Sequence, residues 1–213
     1  MIQLLRRLVL VLIAKPFARL VIGLDVHGEE NLPKNGPAII AANHNSHIDT
    51  LILICLFHSR LLPKIRPVAA ADHFLSTPVS SWFYRNVVGI LPVNRKGAAA
   101  GEDVLAGCKE ALARGEILII FPEGSRGKAE EMGAFKSGVA RLAETFPEVP
   151  VVPVYIQGAG RVLPRGAKVL VPFNCSAIVG SAFKWSGNKA GFMDQLRSTV
   201  ETLRSDAPPL RWL

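Results

Sequence analysis

The sequence predicts an α/β domain in which a mixed, mostly parallel sheet is flanked by helices. Short apolar runs such as residues 38–42 and 116–121 have the composition of buried strands of the parallel type. Each run ends in a polar turn, and longer helical patterns separate the runs along the chain. In an open α/β sheet the functional residues lie at the carboxyl ends of the strands, so these turns are where we look for chemistry.

Composition limits the choice of partner. The chain has 213 residues and a mass of 23.0 kDa, enough for one domain with a sizeable core. Hydrophobic residues make up 49% and the mean hydropathy is +0.29, so we expect some apolar surface to contact lipid. The formal charge of +8 indicates an anionic partner. Aromatic residues are only 7%, and no basic helix carries interleaved Tyr or Phe, so no nucleic-acid partner is expected.

Residues 1–24 form an apolar but interrupted segment. Its longest apolar run, Leu8 to Ala14, is far too short for a hydrocarbon core of ~30 Å. A secretory signal is an alternative, yet Lys15-Pro16 stands where a small-residue cleavage site belongs. The segment therefore predicts an interfacial helix, broken near Pro16, on the cytoplasmic face of an anionic membrane, in a peripheral or monotopic protein. The predicted lipid-facing stripe is Leu5, Val9, Leu12, Pro16 and Leu20, flanked by Arg6, Arg7, Lys15 and Arg19.

The remaining chain, residues 25–205, is predicted to be one domain, and residues 206–213 form a tail. Helices are expected at 49–58, partly over 72–87, at 98–114, from 137 to about 146, and at 190–205. Strands are expected at 65–71, 89–95, 151–156, 168–173 and 175–180, the last two as a hairpin. Pro92 favours an edge position for 89–95, and 151–156, with an internal proline, is predicted as a packed edge strand. The three cysteines, Cys55, Cys108 and Cys175, are far apart and predict buried free thiols in a reducing compartment.

The polar turn after residues 38–42 contains His44 and, five residues later, Asp49. On one helix these side chains would point about 140° apart, so His44 must precede the helix and Asp49 must lie in its first turn. A carboxylate placed there can fix the imidazole tautomer and leave the other ring nitrogen as a general base. Three alternatives remain: capping residues without chemistry, a metal site of His44, His47 and Asp49, and His47 as the base. The spacing departs from the usual di-metal pattern, so neither a metal nor a cofactor is expected.

Asn43-His44-x4-Asp49 resembles the His-x4-Asp box of the glycerolipid acyltransferases. Three further blocks follow in that family's order: Gly89 to Arg95, Phe121 to Arg126, and Val151 to Ile156. Ser125 replaces the family's usual threonine and keeps its hydroxyl, and Gly127 stands where the family often has serine. The resemblance covers roughly residues 25–185.

The resemblance implies acyl transfer from acyl-CoA or acyl carrier protein to a hydroxyl of a lysophospholipid, by direct attack in a ternary complex. It implies that His44 is the general base and that Asp49 orients it. Backbone amides of residues 45–50 would suit the oxyanion. The acceptor-binding residues implied are Arg95, Glu123, Gly124, Ser125 and Arg126.

The two arginines among these residues favour a phosphate monoester, hence 1-acyl-sn-glycerol-3-phosphate as acceptor and phosphatidic acid as product. Another lysolipid, such as a lyso-ornithine lipid, is the alternative acceptor. A lipid hydrolase is disfavoured because no Gly-x-Ser-x-Gly elbow occurs, and a binding module has no need of the His/Asp pair.

Overall fold

Seven strands form one mixed sheet in the computed structural model, which describes residues 2–71, 77–94, 103–127, 130–163, 169–171 and 173–209. The order across the sheet is β1-β7-β6-β2-β5-β3-β4. The five strands from β6 to β4 run parallel, while β7 is antiparallel to β6, and β1 runs parallel to β7. The predicted fold class is therefore confirmed. The strands are β1 Asp25–His27, β2 Ala38–Ala42, β3 Ile65–Ala70, β4 Leu91–Val93, β5 Ile117–Ile120, β6 Val151–Gln157 and β7 Ser176–Val179.

Helices cover both faces of the sheet. The N-terminal helix and α3 pack on one face, and α5, α6 and α8 pack on the other. The α-helices are α1 Ile2–Val9, α2 Lys15–Leu20, α3 Ile48–Leu56, α4 Pro78–Phe83, α5 Ala106–Ala113, α6 Gly138–Thr145, α7 Ala159–Val162 and α8 Lys189–Ser205. Two π-helical segments, Leu10–Ala14 and Tyr84–Val88, directly follow α1 and α4.

Strand β2 lies at the centre of the sheet, and every residue in it is buried. Its side chains alternate between the two faces, as the pleat requires. Ile40 packs toward the N-terminal helix and α3, whereas Ile39 and Ala41 pack toward α5, α6 and α8. Because β2 is buried on both faces, it is apolar throughout and can become polar only where it leaves the sheet.

The N-terminal helix runs without interruption from residue 2 to residue 20. Its π segment ends directly before α2, whose first turn contains Pro16, so the helix adapts to the missing N–H of proline instead of ending there. Leu10, Ala14 and Ala18 join the core, while Leu12 and Leu20 of the predicted stripe are 66% and 84% exposed. No helix in the described ranges has the length and apolarity needed to cross a membrane.

The sequence predicted Arg6 as one of the cations that flank the lipid-facing stripe, but the structure places it inside the molecule. Its side chain is buried, and Nη2 donates to the backbone carbonyls of Ile65, at 2.9 Å, and Val88, at 3.1 Å. Burial, followed by repulsion from Arg66, lowers the pKa of Arg6 to about 10. A Cβ added to Gly89 would lie 2.4 Å from Arg6 Nη2, so the glycine leaves room for the guanidinium.

Two strand predictions need correction. Strand β6 lies between β7 and β2, not at an edge. The Pro153 carbonyl accepts the Gly180 N–H, so the missing N–H of Pro153 also points to this side, away from β2. Gly180 lies just after the last residue of β7, so β6 tolerates the proline there. Residues 169–171 and 173 form no strand, so the predicted hairpin is wrong, and β7 pairs instead with β1 and β6. The edge position predicted for Pro92 is confirmed in β4.

Candidate active site

Asn43 ends the pairing between β2 and β6 with its side chain. Its Nδ2 donates to the Ile156 carbonyl at 2.8 Å, and its Oδ1 accepts the Ile156 N–H at 2.7 Å. These two bonds continue the backbone ladder through a side chain, so the main chain can turn away from the sheet without leaving a buried donor or acceptor unpaired. The turn that follows, residues 44–47, is thereby held at the carboxyl end of β2.

His44 and Asp49 are brought together by this turn. His44 Nδ1 lies 2.9 Å from Asp49 Oδ2, and the same oxygen accepts the backbone N–H groups of Asn45, at 2.7 Å, and Ser46, at 2.8 Å. Asp49 is fully buried, whereas the His44 side chain is 16% exposed. The carboxylate is thus held in place by the backbone, and its second oxygen, Oδ1, has no hydrogen-bond partner among the described residues.

The His44 ring is fixed on its face as well as at its edge. It stacks on Phe121, the residue directly after β5, with ring centroids 3.9 Å apart and an interplanar angle of 16°. Since Nδ1 faces the Asp49 carboxylate, it carries the proton in the neutral ring, and Nε2 is left with a lone pair. This is the protonation state that a general base requires.

Glu123 connects this turn to the loop after β5. Its Oε1 accepts the His44 N–H at 2.8 Å, and its Oε2 accepts the Gly133 N–H at 2.8 Å. The side chain is buried, so these two bonds compensate the desolvation of its carboxylate. A second contact runs beside it, from the Gly127 N–H to the His44 carbonyl at 3.1 Å. Each carboxylate oxygen of Glu123 thus has a backbone partner already. Contact of Glu123 with the acceptor stays a prediction.

The other site residues predicted from the sequence divide into two groups. Gly124, Ser125 and Arg126 line the same cavity as His44. Arg126 Nη1 also lies within hydrogen-bonding distance of His47 Nε2, so the second histidine of the turn contacts the arginine. Arg95 lies outside the described residues.

The cavity beside His44 has a volume of about 540 Å³. Its polar lining includes the stretch from Gly124 to Arg126 and both histidines of the turn. The rest of the lining is mostly apolar and includes residues of the N-terminal helix and of the second π segment. The apolar lining includes Leu10, Leu51, Ile54, Val68, Val88 and Ile90.

Four of the six amide groups in residues 45–50, where an oxyanion site was expected, are bonded within the turn, and an oxyanion role for the other two stays a prediction. The N–H groups of Asn45 and Ser46 bond Asp49, that of Ile48 lies 3.3 Å from Ser46 Oγ, and that of Asp49 bonds the Ser46 carbonyl. These donors stabilise the turn itself. Sequence spacing could not reveal this, because the turn is closed by contacts within four residues whose geometry depends on the backbone path.

Three further predictions concern metal binding, the cysteines and a cofactor. Among the described residues, no three His, Cys, Asp or Glu side chains are grouped so that they could hold a metal ion. The three cysteines are free, and burial raises the pKa of the Cys55 thiol to about 11. The absence of a cofactor stays a prediction.

Sequence reasoning missed the partners of two site residues. It did not foresee that Phe121 stacks on His44, because the position of an aromatic residue before Pro122 carries no signal for a contact 77 residues away along the chain. It also did not foresee that Glu123 bonds backbone amides. A carboxylate directly after a buried strand is a sign that it has fixed donors, and this sign could have been read.

The comparisons with known proteins agree with this geometry. A family model described as Acyltransferase matches residues 23–157. The 1-acyl-sn-glycerol-3-phosphate acyltransferase BAT2 of Brassica napus chloroplasts is 32% identical over 145 residues, 68% of this chain and 40% of that protein. The Chlamydomonas reinhardtii 1-acyl-sn-glycerol-3-phosphate acyltransferase is 30% identical over 188 residues, 87% of this chain and 53% of that protein. The chain thus spans about half or less of the length of these relatives.

A solved structure shows the same fold. The crystal structure of the 1-acyl-sn-glycerophosphate acyltransferase PlsC from Thermotoga maritima matches with a TM-score of 0.72 and 22% identity, over 94% of this chain and 81% of that one. The family model includes all four motifs in full. It extends from the residues just before β1 to the end of β6. From the match of the family model and the identity to the plant relative, we conclude that this chain belongs to the acyltransferase family.

Proposed function

We propose that this protein is a glycerolipid acyltransferase that moves a fatty acyl group from a thioester to the free hydroxyl of 1-acyl-sn-glycerol-3-phosphate, giving phosphatidic acid. One observation carries the proposal: His44, oriented by Asp49, lines a cavity whose walls contain Arg126 and many apolar side chains. Such a cavity fits an anionic headgroup and a hydrocarbon chain around one base. The names of the similar proteins from Brassica napus and Chlamydomonas reinhardtii support the same substrate.

The reaction follows from the orientation of His44. Nε2 takes the proton of the acceptor hydroxyl as its oxygen attacks the thioester carbonyl. The tetrahedral intermediate then collapses, the carbon–sulfur bond breaks, and the thiolate leaves with the proton that His44 returns. Asp49 keeps the ring in the required tautomer and stabilises its cationic form between these steps. No side chain of the protein is acylated.

The apolar part of the cavity is the proposed site of the acyl chain. Its walls offer no charged group, so a chain bound there is stabilised by burial of its methylene groups, at about 0.8 kcal/mol each. The thioester carbonyl would then lie near His44, where the cavity becomes polar. Acyl-CoA or an acyl carrier protein thioester supplies this group.

The phosphate of the acceptor is assigned to Arg126. A guanidinium can offer two parallel charge-assisted hydrogen bonds to a phosphate, which is the geometry that favours arginine at such sites. Arg126 lines the cavity together with His44, so a phosphate held there would bring the glycerol hydroxyl toward the base. Arg95 stays a proposed second partner.

We also propose that the outer side of the N-terminal helix contacts the cytoplasmic face of an anionic membrane. Leu4, Leu12 and Leu20 are exposed there, and Arg7 and Arg19 lie on the same helix. Helix α4, whose π extension packs against α1, adds Val79, Trp82 and Phe83, also exposed. Apolar side chains flanked by cations are the composition of an interfacial surface. A lysolipid could then reach the cavity from the bilayer.

The test is product identification. Purified protein is incubated with labelled acyl-CoA and, in parallel, with lysophosphatidic acid, lysophosphatidylcholine, a lyso-ornithine lipid and no acceptor. We expect phosphatidic acid as the main product and no release of free fatty acid above the level without enzyme. Equal use of all acceptors would refute the assigned substrate, and fatty acid release as the main reaction would identify a hydrolase.

A further inference from the structure

Helix α3 presents one face to the cavity, and that face changes character along its length. The residues of α3 and its N-cap that line the cavity are His47, Thr50, Leu51 and Ile54. Their spacing places them along one side of a helix. The first two are polar and the two further along are apolar. On this face, Thr50 is therefore the polar side chain that directly precedes the apolar lining.

The Thr50 hydroxyl has no hydrogen-bond partner in the part of the chain that the structure describes. Other threonine hydroxyls in helices donate to the carbonyl four residues earlier, as in Thr145, Thr199 and Thr202. The Thr50 side chain is half-buried, and its Oγ1 is not one of the polar atoms that are buried without a partner, so a ligand can reach it. The hydroxyl is thus available to a molecule that occupies the cavity.

Thr50 lies beside the base because it directly follows the residue that orients the base. Asp49 Oδ2 lies 2.9 Å from His44 Nδ1, and both His44 and Thr50 line the cavity. Ser46 carries the other hydroxyl of this turn, and it donates to the Leu163 carbonyl at 2.8 Å. The Thr50 hydroxyl is therefore the uncommitted one of the two.

We propose that the Thr50 hydroxyl donates a hydrogen bond to the carbonyl oxygen of the acyl thioester and to the oxyanion that forms from it. An acyl chain bound along Leu51 and Ile54 has its first carbon at the polar end of the same helix face, which is where Thr50 lies. The inference rests on the proposed function for the thioester, and it adds the group that holds the thioester oxygen.

The proposed bond acts in the step that forms the tetrahedral intermediate. The acceptor oxygen bonds the carbonyl carbon, its proton passes to His44 Nε2, and the π electrons of the carbonyl move onto the carbonyl oxygen. The hydrogen bond from Thr50 strengthens as this oxygen gains charge, since charge-assisted bonds are about twice as strong as neutral ones. When the intermediate collapses, the carbonyl re-forms, the carbon–sulfur bond breaks, and the thiolate takes the proton from His44. Thr50 keeps its own proton throughout.

Three variants test this role. Thr50→Val removes the hydroxyl and nearly keeps the shape, Thr50→Ser keeps the hydroxyl, and Thr199→Val is the matched control in α8, outside the cavity. Kinetics are measured with acyl-CoA and lysophosphatidic acid. We expect Thr50→Val to lower kcat about 10- to 100-fold with little change in either KM, because the bond is stronger in the transition state than in the bound substrate.

Thr50→Ser should retain most of kcat, and Thr199→Val should match unmodified protein. An equal loss in Thr50→Val and Thr50→Ser would show that the side chain acts by packing, which overturns the proposal. Unchanged kinetics in Thr50→Val, or a higher KM at constant kcat, would overturn it as well.

A binding measurement keeps this test independent of turnover. Unmodified protein and Thr50→Val are titrated with a long-chain alkyl trifluoromethyl ketone, whose hydrate is tetrahedral like the intermediate, and with the matching methyl ketone, which is planar. We expect Thr50→Val to weaken binding of the trifluoromethyl ketone about tenfold and that of the methyl ketone much less.

The titration overturns the proposal if Thr50→Val weakens both ketones equally or neither, or if unmodified protein has no preference for the trifluoromethyl ketone. If unmodified protein transfers no acyl group, the proposed function fails, and the titration still decides whether Thr50 binds the tetrahedral oxygen.

Discussion

The Glu123 carboxylate accepts the backbone N–H of His44, so the residue proposed as the base is held by the loop that also carries Arg126. His44 is positioned by Asp49 at its ring and by Glu123 at its main chain. The base and the proposed phosphate site therefore belong to one unit, which is joined by the Glu123 carboxylate and by the Gly127 N–H that donates to the His44 carbonyl at 3.1 Å.

Replacement of Glu123 tests this unit. We expect Glu123→Gln to lower kcat at least tenfold with a smaller change in the KM for the acceptor, because an amide can accept only one of the two N–H groups and places its own donors against the other. The lost bond should also lower the free energy of unfolding by about 1–3 kcal/mol, since a buried N–H is left unpaired. Steady-state kinetics and urea denaturation measure both effects. A larger change in KM than in kcat would instead indicate direct contact with the acceptor.

The assignment of the base is tested by three substitutions. We expect His44→Ala to lower kcat by about 10²–10⁴, the usual contribution of general base catalysis, and Asp49→Asn to lower it by somewhat less. His47→Ala should retain turnover and alter mainly the KM for the acceptor, because His47 contacts Arg126. Acyl transfer is followed with labelled acyl-CoA. An inactive His47→Ala beside an active His44→Ala would show that the base is wrongly assigned.

The apolar lining of the cavity should select the length of the acyl chain. Val88 belongs to this lining and lies in the π segment that contacts the N-terminal helix. We expect Val88→Phe to favour shorter donors and Val88→Ala longer ones, with a change of roughly 10- to 200-fold in relative kcat/KM for a difference of a methylene or more. Competition between acyl-CoA species of different length measures this ratio. Thr145→Ala, outside the cavity, is the control. An unchanged length preference in both Val88 variants would show that this part of the lining does not select the acyl chain.

Membrane contact should depend on the outer side of the N-terminal helix. We expect the double variant Leu12→Glu/Ile13→Glu to bind vesicles containing anionic lipid at least tenfold more weakly. Two exposed apolar side chains are replaced by carboxylates, which the negative lipid headgroups repel. Ala190→Glu, an exposed position at the start of α8, adds a charge without touching the helix. Cosedimentation at low and high salt measures the binding. Binding of unmodified protein that ignores both lipid charge and salt would contradict the proposed surface.

A half-buried carboxyl group, away from the base, predicts a pH effect on stability. Burial raises the pKa of Glu130, which accepts the Gly158 N–H at 3.0 Å and lies near Arg161, Arg204 and Asp49. Because the pKa in the folded state exceeds the ordinary value of 4.5, the stability that Glu130 contributes is present below pH 4.5 and is lost as the pH rises through the folded-state pKa. At neutral pH the buried charge therefore has an energetic cost.

We expect Glu130→Gln to raise Tm at pH 7–8 and to lose this advantage near pH 4, since the amide oxygen can still accept the Gly158 N–H. Glu148→Gln is the contrasting control. Lys184 lowers the pKa of Glu148 through a hydrogen bond, so its removal should lower Tm at neutral pH slightly, in the opposite direction. Thermal unfolding from pH 4 to pH 8 decides. If the difference in Tm between Glu130→Gln and unmodified protein is more negative at pH 8 than at pH 4, the predicted direction of the pH effect is wrong.

The sequence could predict those features that depend on local pattern. Parallel strands such as β2 and β5 are apolar along their whole length, and the spacing of His44 and Asp49 excludes a common helix, so both fold class and pairing follow from short stretches. Arg6 could not be predicted in the same way. Its partners, the carbonyls of Ile65 and Val88, are 59 and 82 residues away, and a cation in an apolar helix is usually assigned to the solvent side.

The place of a strand in the sheet is also a long-range property. Pro153 suggested an edge position for β6. Whether a proline is tolerated inside the sheet depends on whether a neighbouring strand would accept its N–H, and here that depends on where β7 ends. The partner of Glu123 depends on the path of the main chain at Gly133 in the same way. The candidate site residues can thus be proposed from short motifs, whereas the contacts among them depend on the path of the main chain between distant parts of the sequence.

The N-terminal helix contributes both to the lining of the cavity and to the outer apolar surface. Leu10 lines the cavity, and Leu12 and Ile13, two and three residues later, are exposed on the outer side. Arg6 anchors this helix to two backbone carbonyls beneath it. The same few turns of helix therefore carry both a wall of the cavity and part of the proposed lipid surface, so selection for either contact acts on one short stretch of sequence.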